Sequence, residues 1–242
     1  MMIVSIEPIF ATILFALIFL FSSKIHIIKI KHHRSLLSFA AGIAIAYVFV
    51  HLLPELSRAS NVFVKTSGYS SLLLASYHVY IAAMIGFMLF FGLDYMAKRS
   101  QKDVTQNTRP LIFHTHIIGF AFYVWLVTYL MMRGLEEATL SITLYAIAMG
   151  LHFFSIDHEL YREHRAIYSN YGRYILAFAA LLGWSVGFFV ELPKPIIITL
   201  LGVISGGIIV NSMVAELPRD QTGKFIPFLF GGIFYSVLLL FL

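Results

Sequence analysis

Along the chain the apolar residues gather into long uninterrupted runs separated by short polar connections, and no run shows the period-2 alternation of a strand. A helix needs roughly 20 apolar residues to cross a bilayer. Seven runs reach or approach that length, at about 35–54, 72–93, 110–132, 138–156, 174–190, 195–215 and 225–242. An eighth, residues 8–23, is shorter and reaches span length, about 3–23, if the residues ahead of it contribute. Eight such helices use about 160 residues, which leaves short loops and no room for a soluble domain. The runs are too apolar for an outer-membrane barrel. The pattern predicts an all-α, polytopic membrane protein: a single integral membrane domain, residues 1–242, with eight transmembrane helices.

Composition agrees. Sixty per cent of residues are hydrophobic and 12% charged, with a mean hydropathy of +0.86, against about 25% charge in a soluble domain. There is no cysteine, which excludes disulfides and thiolate metal sites. The first run has no basic segment before it and no small-residue cleavage site after it, so it reads as a retained helix. The net charge of +5 implies no nucleic-acid partner, because topology accounts for it. Thirteen of the 17 Lys and Arg residues fall in the odd-numbered connections, beginning with Lys24, Lys29, Lys31 and Arg34. The even-numbered connections hold only Arg58, Lys65, Arg133 and Lys194. A bias that alternates with every crossing supports eight spans and places both termini outside a plasma (cell inner) membrane.

An internal repeat runs through spans two and seven. The stretch A-A-G-I-A-I-A-Y-V-F-V-H-L-L-P-E covers Ala40 to Glu55, and S-G-G-I-I-V-N-S-M-V-A-E-L-P-R covers Ser205 to Arg219. Gly42 to Pro54 and Gly206 to Pro218 have the same spacing, each opening on small residues and closing on Leu-Pro. Span two runs inside to outside and span seven the reverse, so the repeat is inverted. Inverted repeats characterise transporters that alternate access about a midplane site. A chance coincidence of two Gly-to-Pro spacings in apolar sequence is the competing explanation.

Candidate chemistry starts at His51-Leu52-Leu53-Pro54-Glu55, where span two ends. On a continuous helix His51 and Glu55 share a face and could hold one cation jointly; the plainer reading is an interfacial polar pair with a proline stop. His78, at a similar depth in span three, could join them at the outer mouth or stand alone at the interface.

Ser38 to Leu56, the apolar helix and basic turn before it, and the G-G-I-I-V-N-S-M-V-A-E-L-P run resemble the second, first and seventh helices of the ZIP family of zinc and iron transporters. The resemblance covers nearly the whole chain in layout and spans two and seven closely. It implies eight helices in a three-plus-two-plus-three arrangement with inverted outer repeats, and a metal site on spans four and five. In span four the matching stretch is His114-Thr115-His116-Ile117-Ile118-Gly119, with Ile118 where the family carries a carboxylate. In span five it is His152-Phe153-Phe154-Ser155-Ile156-Asp157, with Phe153 and Ile156 where the family carries ligands.

Geometry adds to this. His114 and His152 both fall in the inner half, and His114 and His116 lie about 200° apart on a helix, so at most one faces the bundle axis. His152, Ser155, Glu159 and Glu163 form a stripe at helical spacing, with Asp157 and His164 on a second face. Histidine plus carboxylate suits Zn²⁺, and an oxygen-rich set also accepts Mn²⁺ or Fe²⁺. The expected metal ligands are therefore His114, His152, Asp157, His51, Glu55, Glu159 and Glu163. Alternatively, Asp157 to His164 is the solvated end of the helix. The expected function is transport of a divalent metal cation, zinc first, as substrate. The alternative is a non-transporting ZIP-fold protein with a degenerate site. An intramembrane metal hydrolase is disfavoured, since no His-Glu-x-x-His motif is present. The expected partners are the lipid bilayer and the metal ion, with a homodimer left open.

Overall fold

The computed structural model describes residues 7–27, 33–66, 73–103, 109–133, 139–213 and 223–240, and among these there is no strand. In chain order the helices are α1 (Glu7–Ile27), α2 (His33–Ala46), α3 (Leu53–Thr66), α4 (Leu73–Asp103), α5 (Arg109–Met132), α6 (Thr139–Ile167), α7 (Arg173–Phe189), α8 (Lys194–Asn211) and α9 (Phe225–Leu240). Two π-helical stretches, Tyr47–Leu52 and Tyr168–Gly172, join α2 to α3 and α6 to α7. Since α2 and α3 form one unbroken rod, the described residues make eight rods. Five contain a segment long and apolar enough to cross a membrane: Arg34–Lys65, Ser76–Met96, Phe113–Met132, Tyr168–Phe189 and Lys194–Asn211. Glu7–Phe21 and Phe225–Leu240 are apolar but shorter. Large apolar side chains such as Met84, Met88, Phe178 and Phe230 face outward, a surface suited to lipid. This is a helical membrane protein.

The second rod does not stop at Pro54 but runs through it to Thr66. A proline inside an α-helix removes a hydrogen bond and its ring crowds the carbonyl four residues back. Here the preceding turn is already π-helical, with the Leu53 N–H donating to the Val48 carbonyl. The wider turn absorbs the strain, so the Leu-Pro pair marks a π segment within a longer helix.

The rods pack in pairs whose directions follow from residue contacts. Ser38 accepts a hydrogen bond from the Lys224 N–H at 2.9 Å, and Gly42 meets Phe228 and Gly232, so α2 and α9 run parallel. Gly202 lies against Val79 and Ala82, Gly206 against Ala83 and Phe87, and Gly207 against Phe90, so α4 and α8 also run parallel. Gly172 meets Ile117, Gly183 meets Trp125, and Gly187 meets Met132; α5 and α7 are parallel too. Tyr123 pairs with His152 and His116 with His164, which makes α6 antiparallel to α5. The chain therefore reverses between His164 and Gly172. These senses are those of a chain that crosses alternately.

Two of the crossings match residue by residue. A Cβ at Gly42 would overlap the Phe228 carbonyl oxygen and lie 2.7 Å from the Gly232 nitrogen. A Cβ at Gly206 would overlap the Ala83 carbonyl oxygen and lie 2.5 Å from the Phe87 nitrogen. Reciprocally, Gly231 meets the Phe39 carbonyl, and Gly86 meets the Val203 carbonyl. Phe39 precedes Gly42 by three residues, as Val203 precedes Gly206. Residues 228, 231 and 232 keep the spacing of 83, 86 and 87. The π-helical turn also recurs, from Tyr47 in one rod and at Ser212 in the other. Pro218, the close of the second sequence copy, lies outside the described residues.

Because the obstructing atoms are backbone, these glycines tolerate no side chain. Gly42→Ala and Gly206→Ala should each destabilise the fold by about 1–3 kcal/mol or more, read as a lowered midpoint of thermal unfolding in detergent. Gly92→Ala, where a Cβ would meet nothing within 4 Å, should leave the midpoint unchanged or raise it.

Candidate functional site

The ionisable residues of the inner bundle are set by the facing sides of α5 and α6. His152, 2% exposed, points at α5, where its Nε2 lies 2.8 Å from the Tyr123 hydroxyl. One turn and two turns further, Ile156 and Glu159 continue that face. On α5 the matching face is His116, Phe120 and Tyr123, seven residues from first to last. His116, 4% exposed, brings its Nδ1 to 3.3 Å from the His164 Nε2. Phe113 closes the pair edge-on to His164 at 5.2 Å.

The i, i+4 pair that faces α6 is thus His116 and Phe120, not His114 and Ile118. His114 is exposed, and Ile118, at 64% exposure, points the same way, out of the bundle. Of the two histidines left open by the sequence, the inward one is His116. Asp157 is also placed differently from a solvated helix end: it is 0% exposed and accepts a hydrogen bond from the Tyr168 hydroxyl. That bond joins α6 to the π-helical turn. Phe153, where the family pattern has a ligand, is fully buried between Phe15 and Phe19, ring centroids 5.0 and 5.3 Å away.

Two cavities lie at opposite ends of this face. The outer cleft, so named from the expected topology, is bordered by Tyr47, His51 and Glu55 from the α2–α3 rod, Leu130 from α5, Tyr145 from α6 and Ile204 from α8. The expected sharing of a face by His51 and Glu55 is seen here, both half-buried at the cleft. His51 stacks on Tyr47 at 5.2 Å, and Glu55 pairs with Arg58 at 3.1 Å. His78 is elsewhere, bonded to Thr199 Oγ1 at 2.8 Å and stacked on Phe63 at 4.1 Å. The inner pocket, named in the same way, is bordered by Asp94, His116, Phe120, Glu159 and Asn211. Asn211 Nδ2 and Ser212 Oγ are buried without a hydrogen-bond partner among the described residues. The Glu163 side chain is outside the described ones. Along α6 the two cavities are about 14 residues, roughly 21 Å, apart, with the Tyr123–His152 bond between them.

Among the described residues no three His, Asp or Glu side chains come together in a group able to hold a metal ion. Sequence reasoning did not single out Tyr123, Asp94, Asn211 or Tyr168. For Tyr123 and Tyr168 a signal existed, since a buried tyrosine hydroxyl needs a partner. Comparison of the chain with protein-family models, curated proteins and solved structures gives no match.

Two outcomes follow for stability. Tyr168→Phe removes a hydrogen bond to the buried Asp157 side chain and should cost about 1–3 kcal/mol, measured by chemical unfolding in mixed micelles. Burial holds the His164 imidazole below its ordinary 6.5, so protonation favours the unfolded state. Stability should be intact above about pH 6.5 and fall as the pH drops through the lowered value. Thermal unfolding from about pH 7.5 to about pH 5 should show this decline, and His164→Gln should flatten it.

Proposed function

We propose that the protein is a ZIP-like transporter that carries a divalent metal cation, zinc foremost with iron or manganese as alternatives, across a plasma (cell inner) membrane by alternating access. The observation that carries this reading is the matched packing of Gly42 against α9 and Gly206 against α4. It supports two inverted triples, α1 with α2–α3 and α4 against α7 with α8 and α9, flanking α5 and α6 as a three-plus-two-plus-three bundle with both termini outside. Exchange of conformation between two such triples is the physical basis of alternating access. In this reading His51 and Glu55 receive the cation at the outer cleft, and His116, Glu159 and Asp94 receive it at the inner pocket. The Tyr123–His152 bond closes the path between them. Each station offers few protein ligands, so water completes the tetrahedral or octahedral shell of the cation, and affinity is low.

A second reading, a non-transporting membrane protein of the same fold, is favoured by Phe153 in its aromatic cluster of Phe15, Phe19 and Tyr123. Uptake of zinc, iron or manganese into proteoliposomes separates the two. Transport predicts uptake above empty vesicles, reduced about tenfold or more by His152→Ala and slowed by Glu159→Gln combined with Glu163→Gln. Absence of uptake of all three metals by well-folded wild type would assign the second reading.

A further inference from the structure

The inner pocket joins three helices far apart in the chain: Asp94 comes from α4, Glu159 from α6 and Asn211 from α8. Two carboxylates and no lysine or arginine stand among its described lining, so the field there is negative and favours a cation. In a bundle surrounded by lipid, inward ionisable side chains mark ion paths by default. Asn211 adds an independent observation. Its side chain is 7% exposed, and its Nδ2 has no hydrogen-bond partner among the described residues. Such a buried group costs a folded protein free energy unless an occupant satisfies it. A half-turn of the amide exchanges Nδ2 for Oδ1, so the same side chain can present a carbonyl oxygen to a cation. Ser212 Oγ, one residue further, is likewise buried without a partner among the described residues. The chain there is π-helical, a departure that often accompanies functional sites.

Size and ligand type select the ion. The pocket encloses about 10 Å³, the lower limit of the space that holds one water. A hard divalent ion such as Mg²⁺ dehydrates reluctantly and keeps several waters as ligands, for which this space has no room. A monovalent ion sheds its shell at a smaller cost, because the penalty of burying an ion rises with its charge. Carboxylate and amide oxygens are hard ligands, suited to a hard cation. We propose that the inner pocket is a sodium site, in which the Asp94 and Glu159 carboxylates and the Asn211 amide oxygen hold one dehydrated Na⁺. The inference goes beyond metal transport and does not rest on it. Asp94 and Glu159 serve both, so sodium must leave and the pocket must widen before a divalent cation enters with its waters.

The test uses full-length protein in maltoside, stripped of divalent metal. Thermal unfolding is followed as NaCl replaces choline chloride at constant ionic strength, and radiolabelled sodium binding is read by scintillation proximity. An ion that binds only the folded state raises the midpoint in a concentration-dependent way. Sodium should do so and choline should not, while potassium and Mg²⁺ should compete with the label about tenfold more weakly than unlabelled sodium, or less. Asp94→Asn and Asn211→Leu should each weaken sodium binding by about tenfold or more, and Glu159→Gln by several-fold. The two carboxamide variants keep side-chain size and carry the test if Asn211→Leu fails to fold. A midpoint that responds alike to sodium and choline, with no label bound, would assign the pocket to a water molecule and overturn the proposal. Competition by potassium or Mg²⁺ as strong as by sodium, or sodium binding that none of the three variants weakens, would overturn it as well. Because no divalent metal is present, none of these results depends on whether the protein transports one.

Discussion

The close approach of helix backbones at glycine is the constraint on which the rest of this bundle depends. In lipid the hydrophobic effect does not drive one apolar helix onto another, so association rests on packing and on polar contacts. Gly42 and Gly231 bring α2 and α9 together, and Gly206 and Gly86 do the same for α8 and α4, with carbonyl oxygens occupying the space of missing side chains. α6 packs against α2, and α5 against α4 and α8. Gly183 and Gly187 then seat α7 on Trp125, Tyr129 and Met132 of α5.

The polar groups inside are held at a cost that packing must offset, and the bundle meets it with local bonds. Tyr123 with His152, Tyr168 with Asp157, and His116 with His164 each satisfy a buried side chain by a neighbour on another element or across a chain reversal. A buried polar group without such a partner is expensive. Two of the exceptions among the described residues, Asn211 Nδ2 and Ser212 Oγ, sit where α8 widens into its π turn beside the inner pocket. Tyr47 stands at the corresponding point of the α2–α3 rod and borders the outer cleft. A π-helical turn thus lies beside each of the two cavities.

Much of this was legible in the sequence, because its physical origin is local. The apolar runs set the helices, since a span must satisfy its own backbone bonds. The two glycines that open the sequence repeat, Gly42 and Gly206, are the ones that meet a neighbouring helix backbone. His51 and Glu55 line one cleft because four residues carry a helix through little more than one turn. The Leu-Pro pair was misread as a stop because proline's cost depends on the turn before it, and the π-helical bond from Leu53 to Val48 was not visible in residue types alone.

Only the tertiary structure decided the partners. Periodicity separates His114 from His116 by face but does not say which face meets a helix and which meets lipid; the rotation of α5, fixed by its contact with α7, turned His116 inward. Asp157 reads in sequence as the start of a charged helix end, yet the chain reversal before Gly172 returns Tyr168 to cover it. His152 was expected beside another histidine and found a tyrosine. In each case the sequence determined which side chains project from one face of a helix, and the neighbour that the face meets was set by packing between residues far apart in the chain.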